Sequence, residues 1–228
     1  MKRVLKYIIL IILLLTIQNT VQAQTTITSA QTGNWSNTAT WVGGVVPISG
    51  DNVIIASGHT VTLTANTDIG AGNLTVTGTV ALAGFDLTAG SLAGAGNIGT
   101  SSGTPLVTVG SNGSNTTYSG VYSGTGARLT KEGAGTLTVS GFNSYTGGTN
   151  ILNGTFKLGA NGAIPNTGVV SIESTLDLNG WVEQVEAISS TNPSAVITSS
   201  ATGSVTLFVV SNNNSSYSGI IQDGSATF

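Results

Sequence analysis
After residue 23 the chain is built from short alternations. Residues 59–65 (Val61, Leu63), 72–78 (Leu74, Val76), 78–84 (Val80, Leu82), 135–141 (Leu137, Val139), 154–160 (Phe156, Leu158) and 174–180 (Leu176, Leu178) each set an apolar pair two positions apart among polar or small residues. A period of two places both apolar side chains on one face of a strand and Thr, Ser or Lys on the other. No twelve-residue window in this part of the chain carries a helical stripe. The nearest, 180–188, is short and opens on glycine.

The spacing between strands carries more than the strands do. Leu137, Phe156, Leu176 and Val196 lie 19, 20 and 20 residues apart, each opening an apolar alternation. A repeat of about twenty residues signifies a solenoid, whose coils bury their inward side chains only by stacking on one another. The expected fold is all-β, a right-handed parallel β-helix of roughly nine or ten coils, a rod about 40 to 50 Å long at about 4.8 Å per coil. A sandwich or barrel of short strands is the rival. Glycine and asparagine between strands, as in Gly133-Ala134-Gly135, Gly147-Gly148 and Asn153-Gly154, then read as corners, where positive φ is needed. A phosphate-cradling loop is the sharper reading of such clusters, but no Gly-Lys-Ser/Thr follows any of them.

A longer correspondence overlies the short one. A shift of 99 residues aligns 115–121 with 214–220, Tyr118 falling on Tyr217 and Val121 on Ile220, and Leu129 then falls on Phe228. On this reading the chain stops as a second unit begins, leaving an open coil edge.

Composition and charge narrow the rest. Residues 1–23 join Lys2, Arg3 and Lys6 to an apolar run over 7–17 and end Val21-Gln22-Ala23, a signal peptide with cleavage expected after Ala23. The apolar run is short for a membrane span. There is no cysteine, so neither a lipid-anchored cysteine nor a disulfide framework nor a thiolate metal site is available. Beyond the leader Arg128, Lys131 and Lys157 face nine carboxylates, a formal net charge of −6. Three scattered cations make no phosphate-neutralising stripe, so nucleic-acid binding is set aside. Only 7% of residues are charged, but the wealth of Val, Ile and Thr separates the chain from disordered sequences.

Candidate chemistry is sparse. His59, the one histidine, stands where a strand begins and has no nucleophile motif beside it. Glu183 and Glu186, near Glu173 and Asp177, have a spacing that could serve acid and base in glycoside hydrolysis, but it equally suits a solvated loop or helical turn. Asp51, Asp68 and Asp86 lie 17 and 18 residues apart, about one coil; stacked, they would repel unless a cation joined them. Scattered, solvated acids are the plainer reading. Thr60, Thr62 and Thr64 form an outward row that could suit a crystalline ligand but is also what a wet strand prefers. Trp35 and Trp41 are read as apolar cover for the first coil, with a sugar-stacking platform as the rival. Asn34-Trp-Ser and Asn115-Thr-Thr are glycosylation triplets expected by chance in this composition. No catalytic, cofactor-binding or metal-binding residue is assigned.

Residues 129–141 (LTKEGAGTLTVSG), followed by 142–149 (FNSYTGGT) and 152–158 (LNGTFKL), resemble the autotransporter-associated β-strand repeat; the resemblance is taken over about 112–178, with a second unit opening at about 211–228. More weakly, 33–41 (GNWSNTATW) with Gly44, Pro47 and 51–55 (DNVII) is similar to the opening segment of secreted bacterial β-helix proteins. The first resemblance implies a β-helical passenger of a bacterial surface or secreted protein, in which the repeat builds a stalk and brings no catalytic residue. The expected organisation is a leader over 1–23, a cap and first coils over 24–103, and repeat coils over 104–228. The expected function is a non-enzymatic adhesive or envelope-contact scaffold, outside the cell or on the outer membrane. Surface glycans, or host or neighbouring cell surfaces, are the open class of partner, and any membrane contact would come through a further C-terminal anchor or barrel. The alternative is the N-terminal part of a polysaccharide-degrading β-helix with its site beyond residue 228.

Overall fold
The structure, a computed structural model, describes residues 24–211, 215–224 and 226–227. The leader expected over 1–23 lies outside them. What they form is a β-solenoid in which every ladder of strands is parallel.

The strands fall on three faces. The first face begins with Thr26–Thr28, Asn52–Ile55, Asn73–Val76 and Ser91–Ala93. It continues, through a single bridge between Gly94 and Tyr118, with Thr116–Tyr118, Thr136–Val139, Thr155–Leu158, Thr175–Asp177, Val196–Thr198 and Ile220–Ile221. The second runs from Gly33–Asn34 through Thr60–Thr62, Thr79–Ala81, Asn97–Gly99 and Tyr122–Gly124 to Ser144–Tyr145, and resumes one coil later with Glu183–Val185 and Leu207–Val209. The third stacks eight strands from Thr67–Asp68 to Ser216–Tyr217. The ten strands of the first face recur about every 21 residues, slightly longer coils than the spacing suggests.

All six alternations are strands with their apolar pairs buried. Leu137 pairs with Phe156, Phe156 with Leu176 and Leu176 with Ile197, so identical inward positions stack into columns. The inward residue of the fourth coil is therefore Ile197, not Val196. Alternation alone could not settle that parity, because Val196 and Ile197 are both apolar. One core cluster runs from Ile27 to Val205, crossing 103–104 without a break. The 180–188 segment, the nearest thing to a helix in the sequence, is extended, with strands at Glu183–Val185 and Ala187–Ser190. Among the described residues no helix is long and apolar enough to cross a membrane.

The corners explain the glycines in two ways. Gly133 and Gly154 adopt positive φ, as corner glycines should. Gly78, Gly96, Gly120 and Gly141 do not. They form a column between the first and second faces in which a Cβ on each would overlap a main-chain carbonyl oxygen of the preceding coil: Ala56 for Gly78, then Gly78, Gly96 and Gly120. These glycines are required by the closeness of the coils and not by backbone conformation. The 99-residue correspondence is one of sequence and not of place: Tyr118 ends a first-face strand, whereas Tyr217 ends a third-face strand.

Candidate functional site
Within 129–158 the polar residues are the informative ones, because several point inward. On the third face Ala89, Val109, Lys131 and Ile151 share one inward column. Lys131 is 1% exposed. Its Nζ donates to the main-chain oxygens of Glu132 (2.7 Å), Gly133 (2.8 Å) and Asn153 (3.1 Å), tying its own corner to that of the next coil. Burial lowers its pKa to about 8, opposed by the Glu132 carboxylate. Asn143 occupies the matching inward place on the second face: its Oδ1 accepts from Tyr122 N (2.7 Å), and its Nδ2 donates to the oxygens of Gly141 (3.1 Å) and Ala163 (2.7 Å). One amide thus joins three coils. Beside it Tyr145 is fully buried, its hydroxyl 2.6 Å from Thr149 Oγ1 and its ring 4.9 Å from that of Tyr122.

The coil after this repeat lacks a second-face strand, and residues 159–168 loop across the gap. The two glutamates weighed as an acid and base pair hold that loop. Glu183 is 1% exposed in its strand, its Oε2 accepting from Ile164 N (3.1 Å) and its Oε1 from Gln184 N (3.0 Å). Glu186 Oε2 accepts from Gly168 N (2.7 Å). Burial raises the Glu183 carboxyl above its ordinary range, offset by main-chain donors. Neither the solvated loop nor the helical turn expected for Glu183 occurs; the carboxylate replaces hydrogen-bond partners that a missing strand would have supplied. Among the described residues no buried side-chain nitrogen or oxygen lacks a partner.

The remaining candidates are distributed. Asp51 accepts from Thr25 Oγ1 and Ile48 N at the corner entering the first face. Asp68 pairs in register with Thr88, two positions past Asp86, which instead accepts from Leu106 N (2.8 Å). The three aspartates therefore form no column, because uneven coil lengths shift their phase. Glu173 accepts from Thr191 at the next corner. Asp177 receives Ser200 N (2.8 Å), Asn179 N (2.9 Å) and the Lys157 ammonium (3.3 Å). Burial works to raise its pKa, but the hydrogen bonds from Ser200 and Asn179, with the Lys157 charge, hold it below the usual carboxylate value.

His59 Nδ1 lies 2.9 Å from Ser29 Oγ, which accepts from Ala56 N (2.9 Å). With Ser29 buried, this pair locks a turn. Trp35 and Trp41 are buried edge to face, 4.9 Å between centroids, with Trp41 Nε1 donating to Trp35 O (2.7 Å). They belong to the core and leave no open ring for a sugar. The outward threonines of 60–64 are not continued as an array: Thr60 sits on Thr79, but Thr62 sits on Ala81 and then Gly99. Asn115 Oδ1 accepts from Thr136 N (2.8 Å), so that triplet serves a corner.

Inward Lys131, Asn143 and Glu183 escape a reading by apolar alternation, since a polar residue in a column looks like an outward one. A signal is nevertheless present. Lys131 stands two positions from Leu129, and Asn143 two from Tyr145, which a period of two assigns to the same face.

A family model described as the passenger-associated-transport-repeat matches residues 129–158. The chain is also 39% identical over 111 residues to a protein named Adhesin BmaC autotransporter from Brucella suis biovar 1 (strain 1330); the match covers 46% of this chain and 3% of that protein. No solved structure matches the chain. Residues 129–158 are thus a repeat of the autotransporter-associated kind, in agreement with the resemblance of their motifs.

Proposed function
We infer that this chain is a length of stalk in an exported passenger, a non-enzymatic rod that carries adhesive or envelope contacts away from the cell. The observation that carries this reading is the fate of the repeat's polar groups: Lys131, Asn143, Tyr145 and Thr149 are all consumed within the rod. A motif so used specifies a scaffold. The outer faces are lined by Thr, Ser and Asn, and the likeness to a protein named as an adhesin supports contact as the task. Contacts of this kind would be weak singly and additive along the rod. Within these coils Glu183, Glu186 and Asp177, the acids nearest to an acid and base arrangement, accept main-chain amides and serve the rod as well.

An antibody raised against this rod is expected to label intact cells that express the whole gene, and external proteinase K is expected to remove the label. Labelling only after permeabilisation would refute a surface role.

A further inference from the structure
The gap in the second face leaves a recess of about 310 Å³ lined by Phe142, Ser144, Thr146, Pro165, Asn166 and Thr167, among others. Phe142 is 75% exposed, the most exposed large apolar side chain described. The ring edge rests on Gly162 of the loop, where a Cβ would come within 3.1 Å of Phe142 Cε2. On the far side of the loop Trp181 and Val182 are also partly exposed, with Val182 N donating to Asn161 Oδ1 (2.8 Å). The recess is held in shape from behind: Asn143 bonds Ala163 O, Glu183 bonds Ile164 N and Glu186 bonds Gly168 N. Preorganisation of this kind reduces the cost of ordering on binding.

The chemistry of the lining selects a ligand class. No charged side chain lines the recess, so a phosphate or carboxylate finds no counter-ion there. Phe142 offers an electron-rich face to polarised C–H bonds. Ser144, Asn166 and Thr167 are exposed around it as hydroxyl and amide groups that both donate and accept, while Thr146 Oγ1 already accepts from Gly126 N (2.8 Å). An apolar C–H face with a hydroxyl edge describes a pyranose. We propose that the Phe142 recess binds one neutral hexopyranose unit of a surface glycan, stacked on the ring, with its hydroxyls toward Asn166 and Thr167.

This inference rests on the reading of the rod as a surface contact element, and the two fail separately. A displayed rod that binds no sugar sinks the recess alone. Saturation-transfer difference NMR on the full chain, with cellotetraose, maltotetraose and mannotetraose as neutral probes and tetragalacturonate as the charged one, reads it directly. At least one neutral probe is expected to show saturation at its ring C–H protons. Phe142→Ala, an exposed substitution whose folding is checked by circular dichroism, is expected to weaken that probe by about tenfold, while Asn150→Ala on the third face leaves it unchanged. Absence of saturation with all three neutral probes, equal binding by Phe142→Ala, or preference for tetragalacturonate would each overturn the proposal. So would concentration-dependent self-association abolished by Phe142→Ala, since the recess would then be a contact between copies of the chain.

Discussion

Gly120→Ala and Gly141→Ala are each expected to lower the stability of the rod by about 3 kcal/mol or more, an overpacking cost at its upper end. The new methyl would occupy the place of the carbonyl oxygen of Gly96 in one case and of Gly120 in the other. Both oxygens are main chain, so no side-chain rotamer can relieve the overlap. Coils one strand spacing apart would have to separate, and a solenoid conveys that displacement to the columns on either side. Gly113→Ala is the control. Gly113 has φ +73° with nothing within 4 Å of a Cβ, and its substitution should cost only about 1–2 kcal/mol for left-handed backbone. Urea unfolding followed by far-ultraviolet circular dichroism separates the cases. Losses at Gly120 and Gly141 no larger than at Gly113 would mean that the closeness of the coils does not require glycine at these positions.

Lys131→Ala is expected to cost about 2–5 kcal/mol, as for deletion of a long core side chain. It empties an inward position between Val109 and Ile151 and removes three donors from main-chain oxygens. Lys131→Met restores the stem, and its loss should be less than half as large. The pH dependence follows from the lowered pKa of about 8. Between about 8 and the ordinary value of about 10.5 the unfolded chain holds a proton that the folded chain has released. Stability therefore rises with pH across that window, as the cost of burying an ammonium is relieved. Melting temperatures at pH 8 and pH 10 should show wild type gaining on Lys131→Met. A wild type that loses ground instead would mean that the three hydrogen bonds need the charged form more than burial penalises it.

Much of this architecture is legible in the residues because a solenoid repeats its demands. Leu74, Val80, Leu137, Phe156 and Leu176 announce both strand and inward face through period two, and their recurrence near twenty residues announces stacking. Three things are not legible in that way. Val196 and Ile197 are both apolar, so parity there depends on the register against Leu176. Asp51, Asp68 and Asp86 have nearly constant spacing, but corners of unequal length place them at different phases of the coil. Lys131, Asn143 and Glu183 are polar residues whose burial is justified only by main-chain groups in neighbouring coils, partners that no local window contains. The Phe142 recess belongs with these. It exists because one coil omits its second-face strand, a property of the gap between Ser144–Tyr145 and Glu183–Val185 and not of any motif.

The central claim is that coils stack in register, so that the 129–158 repeat builds length. Thr88, Thr108, Thr130, Asn150, Ser171 and Ser189 follow one another outward on the third face. The chain has no cysteine, so spin labels can be placed at will. Labels at Thr88 paired in turn with Asn150, Ser171 and Ser189 should give double electron–electron resonance distances that grow by about 4.8 Å per coil, from about 14 to about 19 to about 24 Å between backbone positions. Even steps of that size are the predicted result, and distances that do not increase with coil number would contradict the solenoid.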